Sequence, residues 1–294
     1  MRKICLIFFL SLTFALTSCQ GSAENGDINE LRIALLVDDG SPESGRVFED
    51  FRTGLADYIG MPVRIIEGAT HLVGIEAMRA GNLDVMWSSP FVYLLAWQTT
   101  EVVRLAVTNS PLAVNKTVFI TNQDDIHSLE DLPGRTFAFI STASTSGFVY
   151  PMYHLMNMFD MTRDEVLTGG LFSAVTYSGS QDASIMGVFH GDIDVAAVGN
   201  LNLASIINSG IINESDVRII AYTEVIPFPG YIASKRLPES LINKIQEFIL
   251  AYDNEGYFLE RFNDANVRFV LPDPAHINHL RSMAEALDID LESH

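Results

Sequence analysis

The chain has 294 residues, 48% of them hydrophobic, and sets 37 acidic residues against 18 basic ones for a formal net charge of −19. So acidic a surface excludes nucleic acid and anionic lipid headgroups as principal partners, although local donors in a cleft can still hold a small anion once charge is screened over about 8 Å. The length exceeds what one hydrophobic core usually serves and predicts two lobes.

Arg2 and Lys3 precede an apolar run, Ile4 to Leu16, that is too short to span a bilayer. Leu16-Thr17-Ser18-Cys19 follows and resembles a bacterial lipobox, so residues 1–18 read as a signal peptide and Cys19 as the site of lipidation. Of the two cysteines, Cys5 leaves with the leader, and the remaining thiol stands where a lipid would go. Residues 19–30 read as the lipidated cysteine and a small, polar, acidic tether. No later segment is long and apolar enough to be a transmembrane helix. An extracytoplasmic, membrane-anchored protein is expected.

Short apolar strands then alternate with amphipathic helices. "LRIALLV" (31–37) reads as a strand, and 43–60 as a helix with Val47, Phe51, Leu55 and Ile59 on one face. "PVRIIEG", "HLVGIEAMRAG" and "LDVMWSS" read as strand, helix and strand. "PFVYLLAWQ" is a short helix opened by proline, and "VVRLAVT" a strand. "KTVFITN", the turn "SLEDLPG" and the strand "RTFAFI" follow, then a helix from about Thr145, the strands "DVAAVG" and "VRIIAYT", and the long helix "PESLINKIQEFILAYDN". This rhythm predicts an α/β fold with largely parallel sheets. "TNSPLAVN" (108–115) and "YTEVIPFPG" (222–230) read as crossings between lobes. They divide the chain into residues 31–110 plus 225–294 as one lobe and 111–224 as the other, with a ligand cleft between them.

The junction "FISTASTSGFVYP" concentrates the chemistry. Five of the six residues from Ser141 to Ser146 are Ser or Thr, at a strand-to-helix turn. Ser144, Thr145 and Ser146 sit where a helix exposes unpaired N–H groups and the positive end of its dipole, which together suit an anion. Gly147 leaves room for close approach. Hydroxyls add donors without adding charge. A single N-cap accounts for one of these residues and not for the whole run.

"DVMWSSPFVYLLA", "SLEDLPGRTFAFISTASTSGFVYP", "YSGSQDASIMGVFHGDIDVAAVG" and "RIIAYTEVIPFPGYIAS" occur in this order. Over most of residues 83 to 234 the chain thereby resembles the phosphonate- or phosphite-type substrate-binding lipoproteins of ABC importers. The resemblance implies a two-lobed periplasmic-binding-protein fold of type II, a small-molecule ligand and an ABC permease as partner. It also implies that Ser144, Thr145 and Ser146 hold oxyanion oxygens, with Tyr93 reaching in from the other lobe. The chain departs from the pattern at Gln181, where that family often has histidine, and at Gly199-Asn200, where a carboxylate can meet a ligand amine. Trp87 replaces a smaller apolar residue, and Asp38-Asp39 ends the first strand without the expected aromatic.

Those departures keep a second ligand class open. Trp87 and Tyr93 with Asp39 could hold a bulkier, less anionic or cationic ligand such as a vitamin precursor, nucleoside or amine. Ligand-binding candidates are therefore Tyr93, Ser144, Thr145, Ser146, Gln181, Asn200, Trp87 and Asp39. "HINH" (276–279) has ligand-like spacing but no evident third ligand, and a solvated helix face explains it as well. No nucleophile elbow, phosphate loop or zinc motif is present. No cofactor, no metal site and no enzymatic activity are expected. The expectation is a monomeric binding protein, serving either transport or a membrane sensor.

Overall fold

The structure is a computed structural model that describes residues 28–35, 44–66, 70–110 and 114–289. The signal peptide, Cys19, the tether up to residue 27 and the Asp38-Asp39 pair lie outside the described residues. In chain order the first half builds β1 (Leu31–Ala34), α1 (Ser44–Ile59), β2 (Val63–Ile66), α2 (His71–Arg79), β3 (Val85–Ser88), α3 (Pro90–Thr99) and β4 (Val102–Asn109). A second group runs β5 (Lys116–Thr121), β6 (Thr136–Phe139), a π turn (Thr145–Val149), α4 (Tyr150–Phe159), α5 (Arg163–Leu167), β7 (Ala174–Tyr177), α6 (Gln181–Phe189), β8 (Val195–Gly199), α7 (Asn200–Asn208) and β9 (Arg218–Val225). The chain then returns through β10 (Gly230–Ser234), α8 (Glu239–Ala251), α9 (Glu255–Phe262), β11 (Arg268–Val270) and α10 (Ala275–Ala286).

These strands form two sheets. One has the order β11-β4-β10-β3-β1-β2, the other β7-β6-β8-β5-β9. Each has a parallel heart, β1 with β2 and β3 in the first, β6 with β7 and β8 in the second. The remaining strands run antiparallel: β10 against β3 and β4, β11 against β4, and β5 against β8 and β9. The βαβ rhythm accounts for the parallel hearts. The antiparallel additions arise because a strand arriving from the other half enters its sheet without a crossover helix to reverse it.

The chain changes sheet between Asn109 and Lys116 and again between Val225 and Gly230. The two connections are bonded to each other: the Ile226 N–H donates to the Asn115 carbonyl at 2.8 Å, and Asn115 Nδ2 to the Pro227 carbonyl at 3.3 Å. Beside them the Thr108 N–H donates to the Pro229 carbonyl at 2.9 Å.

Three apolar clusters result. Phe51, Leu55 and Ile59 of α1 pack with α8, α9 and one face of the first sheet, as the helical spacing predicts. Ile185, Val188, Leu203 and Ile206 cover the outer face of the second sheet. The third cluster lies between the halves. It joins Met86, Phe91 and Leu95 of the first to Phe119, Phe137, Phe148, Met152 and Leu155 of the second, with Leu280, Met283 and Leu287 from the C-terminal helix region.

Candidate ligand-binding site

The hydroxyl run folds as its pattern suggests, with one difference. Ser144 is the N-cap of the helical segment and its Oγ accepts from the Gly147 N–H at 3.0 Å. The first turn is a π turn rather than an α turn, with the Val149 N–H donating to the Ser144 carbonyl. Such widened turns are rare and collect at functional sites. Gly147 is required here by the protein itself: a Cβ on it would lie 1.9 Å from Ile140 Cγ1 and 2.9 Å from Ser144 Oγ. The space expected for a ligand is in fact the space that lets the turn close against the end of β6.

Thr145 reaches across to the other half. Its Oγ1 accepts from the Phe91 N–H at 3.0 Å and donates to Ser89 Oγ at 2.9 Å, where Ser89 is the N-cap residue of α3. Ser146 Oγ accepts from Gln181 Nε2 at 3.1 Å, and Gln181 Oε1 in turn accepts from the Gly199 N–H at 2.9 Å. The Thr117 hydroxyl donates to the Ser146 carbonyl at 2.7 Å. Ser144, Thr145 and Gln181 are all buried, at 8%, 3% and 6% exposure, so none of them is a loose surface polar group.

The result is a convergence of helix starts. The π turn, α3, α6 (beginning at Gln181) and α7 (beginning after Gly199) all present their N-terminal ends to one small region. Each end brings N–H groups that its own helix cannot satisfy and a partial positive charge. Every hydrogen-bonding partner in the cluster just described is uncharged. Such an arrangement could hold an anion by neutral donors, since none of these partners is a lysine, arginine or histidine side chain.

The other candidates go elsewhere. Trp87 is 8% exposed and packs beside Tyr231, Phe262 and Phe269, on the side of the first sheet that carries α1, α8 and α9. Strand alternation is the reason: Val85 and Trp87 share that face, while Met86 joins the cluster between the halves. The Arg261 guanidinium stacks on the Trp87 ring at 4.5 Å. Tyr93 lies one turn into α3, half-buried, with the Arg104 guanidinium over its ring at 5.4 Å. Burial pushes the Tyr93 phenol up from its ordinary value, and the nearby Arg104 and Arg281 oppose that rise. Both rings proposed to hold a ligand cation already face an arginine of the protein. Trp97, 44% exposed, likewise carries Arg281 at 4.9 Å.

Asn200 is spent on the backbone. Its Oδ1 accepts from the Lys116 N–H at 2.8 Å and its Nδ2 donates to the Val114 carbonyl at 2.8 Å, so it fastens α7 to the first connection between the sheets. Asp39 lies outside the described residues. In "HINH", His279 meets Glu224 at 3.1 Å, and no cluster of three or more metal-ligating side chains occurs among the described residues. Ser89 and the Phe91 N–H were missed from sequence, although "SSP" before an apolar run marks a helix start with proline at its first position.

Beside the cluster a cavity of about 860 Å³ opens between the halves, bounded by α2 and α3 on one side and by Thr142, Ala143, Phe148 and Tyr177 on the other.

Comparison with known proteins gives the same architecture. The family described as "ABC transporter, phosphonate, periplasmic substrate-binding protein" matches residues 34–276. A phosphate-import protein PhnD of Mycolicibacterium smegmatis is 20% identical over 251 residues, covering 81% of this chain and 78% of its own. The structure of PhnD1 from Prochlorococcus marinus, solved with methylphosphonate, is 20% identical and covers 89% of this chain and 99% of its own, with a TM-score of 0.76. A binding-protein component of an ABC phosphonate transporter from Pseudomonas aeruginosa is 16% identical, covers 90% and 89%, and has a TM-score of 0.75. The fold is thus the two-lobed α/β fold of periplasmic binding proteins.

Proposed function

This chain belongs to the phosphonate-binding family of periplasmic substrate-binding proteins of ABC transporters, and on that footing we propose that it captures a small oxyanion at the junction of Ser144, Thr145 and Ser146 with α3. The observation that carries this reading is the convergence of four helix N-termini on neutral hydroxyl and amide donors. Hydrogen bonds to a charged group contribute roughly 1.5–3 kcal/mol each. A handful of them suffices for a reversible solute site.

Residues 31–110 with 225–294 act as one lobe and 111–224 as the other, hinged where the paired connections run. Closure of the lobes presents the loaded form to the membrane permease. The protein works as a monomer, held outside the cytoplasm through a lipid on Cys19, and performs no chemistry on its cargo. No helix among the described residues is long and apolar enough to cross a membrane, which is compatible with such an anchor. The cationic-ligand alternative is disfavoured, because Trp87 and Tyr93 already lie against Arg261 and Arg104.

Calorimetric titration of the purified protein with phosphate, phosphite, methylphosphonate, an alkanesulfonate and a nucleoside tests the reading. Binding of an oxyanion, with none of the nucleoside, is expected. Binding of the nucleoside alone would replace it with the second ligand class.

A further inference from the structure

We infer that the oxyanion taken by this site carries a large apolar organic substituent, seated in the cavity beside the hydroxyl cluster; this rests on the oxyanion reading above and narrows its substrate class. The walls are apolar from both halves: Ile75, Phe91 and Leu95 from one, Phe148, Leu167 and Tyr177 from the other. Three of the lining residues adjoin the cluster along the chain or through its backbone. Ala143 directly precedes the N-cap Ser144, Phe148 lies in the same π turn as Thr145, and the Phe91 N–H is the one that Thr145 accepts.

The two arginines of the cavity have partners in the protein. Arg79 pairs with Glu76 at 2.6 Å, and Arg163 donates to the Asp288 carbonyl at 3.4 Å while lying 3.8 Å from Asp164. The wall between these edge groups is mainly apolar, with the Thr99 and Thr142 hydroxyls among its polar groups. A volume of about 860 Å³ falls within the roughly 300–1,000 Å³ typical of sites for drug-sized molecules. Inorganic phosphate or methylphosphonate would leave most of it to water against apolar side chains, an arrangement that a ligand alkyl or aryl group relieves.

The test is a titration series with inorganic phosphate, methylphosphonate and benzylphosphonate, on the wild-type chain and on Leu72→Trp. Leu72 is 53% exposed at the cavity's edge, so a larger ring there narrows the cavity without entering the core. Benzylphosphonate is expected to bind on the order of tenfold to a hundredfold tighter than methylphosphonate, and Leu72→Trp to lower that ratio. Equal or weaker binding of benzylphosphonate, with the smaller ions still bound, overturns the substituent pocket and leaves the oxyanion site standing. Binding of none of the three overturns both. A preference for benzylphosphonate that Leu72→Trp leaves untouched overturns the cavity as its seat.

Discussion

At the scale of single residues, one hydroxyl ties the two halves together. Thr145 Oγ1 satisfies the Phe91 N–H and donates to Ser89 Oγ, with Thr145 and Phe91 buried and Ser89 half-buried. Thr145→Val keeps the shape and removes both bonds, leaving the buried Phe91 N–H without its acceptor at about 1–3 kcal/mol. The expected result is ligand affinity weakened about fivefold to a hundredfold by calorimetry, and unaltered affinity would show that this contact does not support the bound form. Trp87 makes the opposite case. Trp87→Ala should cost about 3–5 kcal/mol of stability in chemical denaturation and leave the affinity of the folded protein near wild type. Lost affinity at unchanged stability would return Trp87 to the ligand site. Residue types indicated the setting of the first residue, because hydroxyls at a helix start carry their chemistry locally, but not the packing of the second. The position of a tryptophan depends on which face of β3 it shares, and that is fixed by the packing of α1, α8 and α9.

At the scale of elements, the junction of β6 and α4 carries the site. The sequence indicated the strand, the helix and the hydroxyls between them. It could not indicate the π turn, which depends on how close the helix start comes to Ile140. Gly147→Ala places a methyl 1.9 Å from Ile140 Cγ1 and is expected to destabilise the protein by about 1–3 kcal/mol. Ile140→Ala in the same chain should relieve part of that, so that the double change costs less than the sum of the singles; strict additivity would deny the contact. Two turns further, burial holds the His154 imidazole below its ordinary value, with Glu224 opposing. A histidine that resists protonation when folded contributes full stability above its unfolded value near 6.5. That contribution falls as pH drops from there through the depressed folded value, since the unfolded chain takes up its proton first. The melting temperature should therefore decline below about pH 6.5, and less steeply in His154→Gln. An identical slope in the variant would assign the decline to other groups.

At the scale of the whole molecule, two sheets exchange the chain twice, and the exchange points lie where proline-bearing, polar segments interrupt the strand–helix rhythm. That much was legible because both segments break a strong apolar periodicity. The hydrogen bonds between the connections, and the role of Asn200 in fastening one of them, were not, because they pair residues 84 to 112 positions apart. Under the proposed hinge closure, the two halves would come together over the apolar cluster they share. Small-angle scattering should thus record a smaller radius of gyration when ligand is added, and an unchanged radius would speak for a rigid body. If neutral donors at converging helix starts hold an oxyanion, titration with the tightest-binding phosphonate should give one site per chain in the wild type and a loss of about a hundredfold or more in the Ser144→Ala, Ser146→Ala double variant; wild-type affinity in the double variant would rule those donors out.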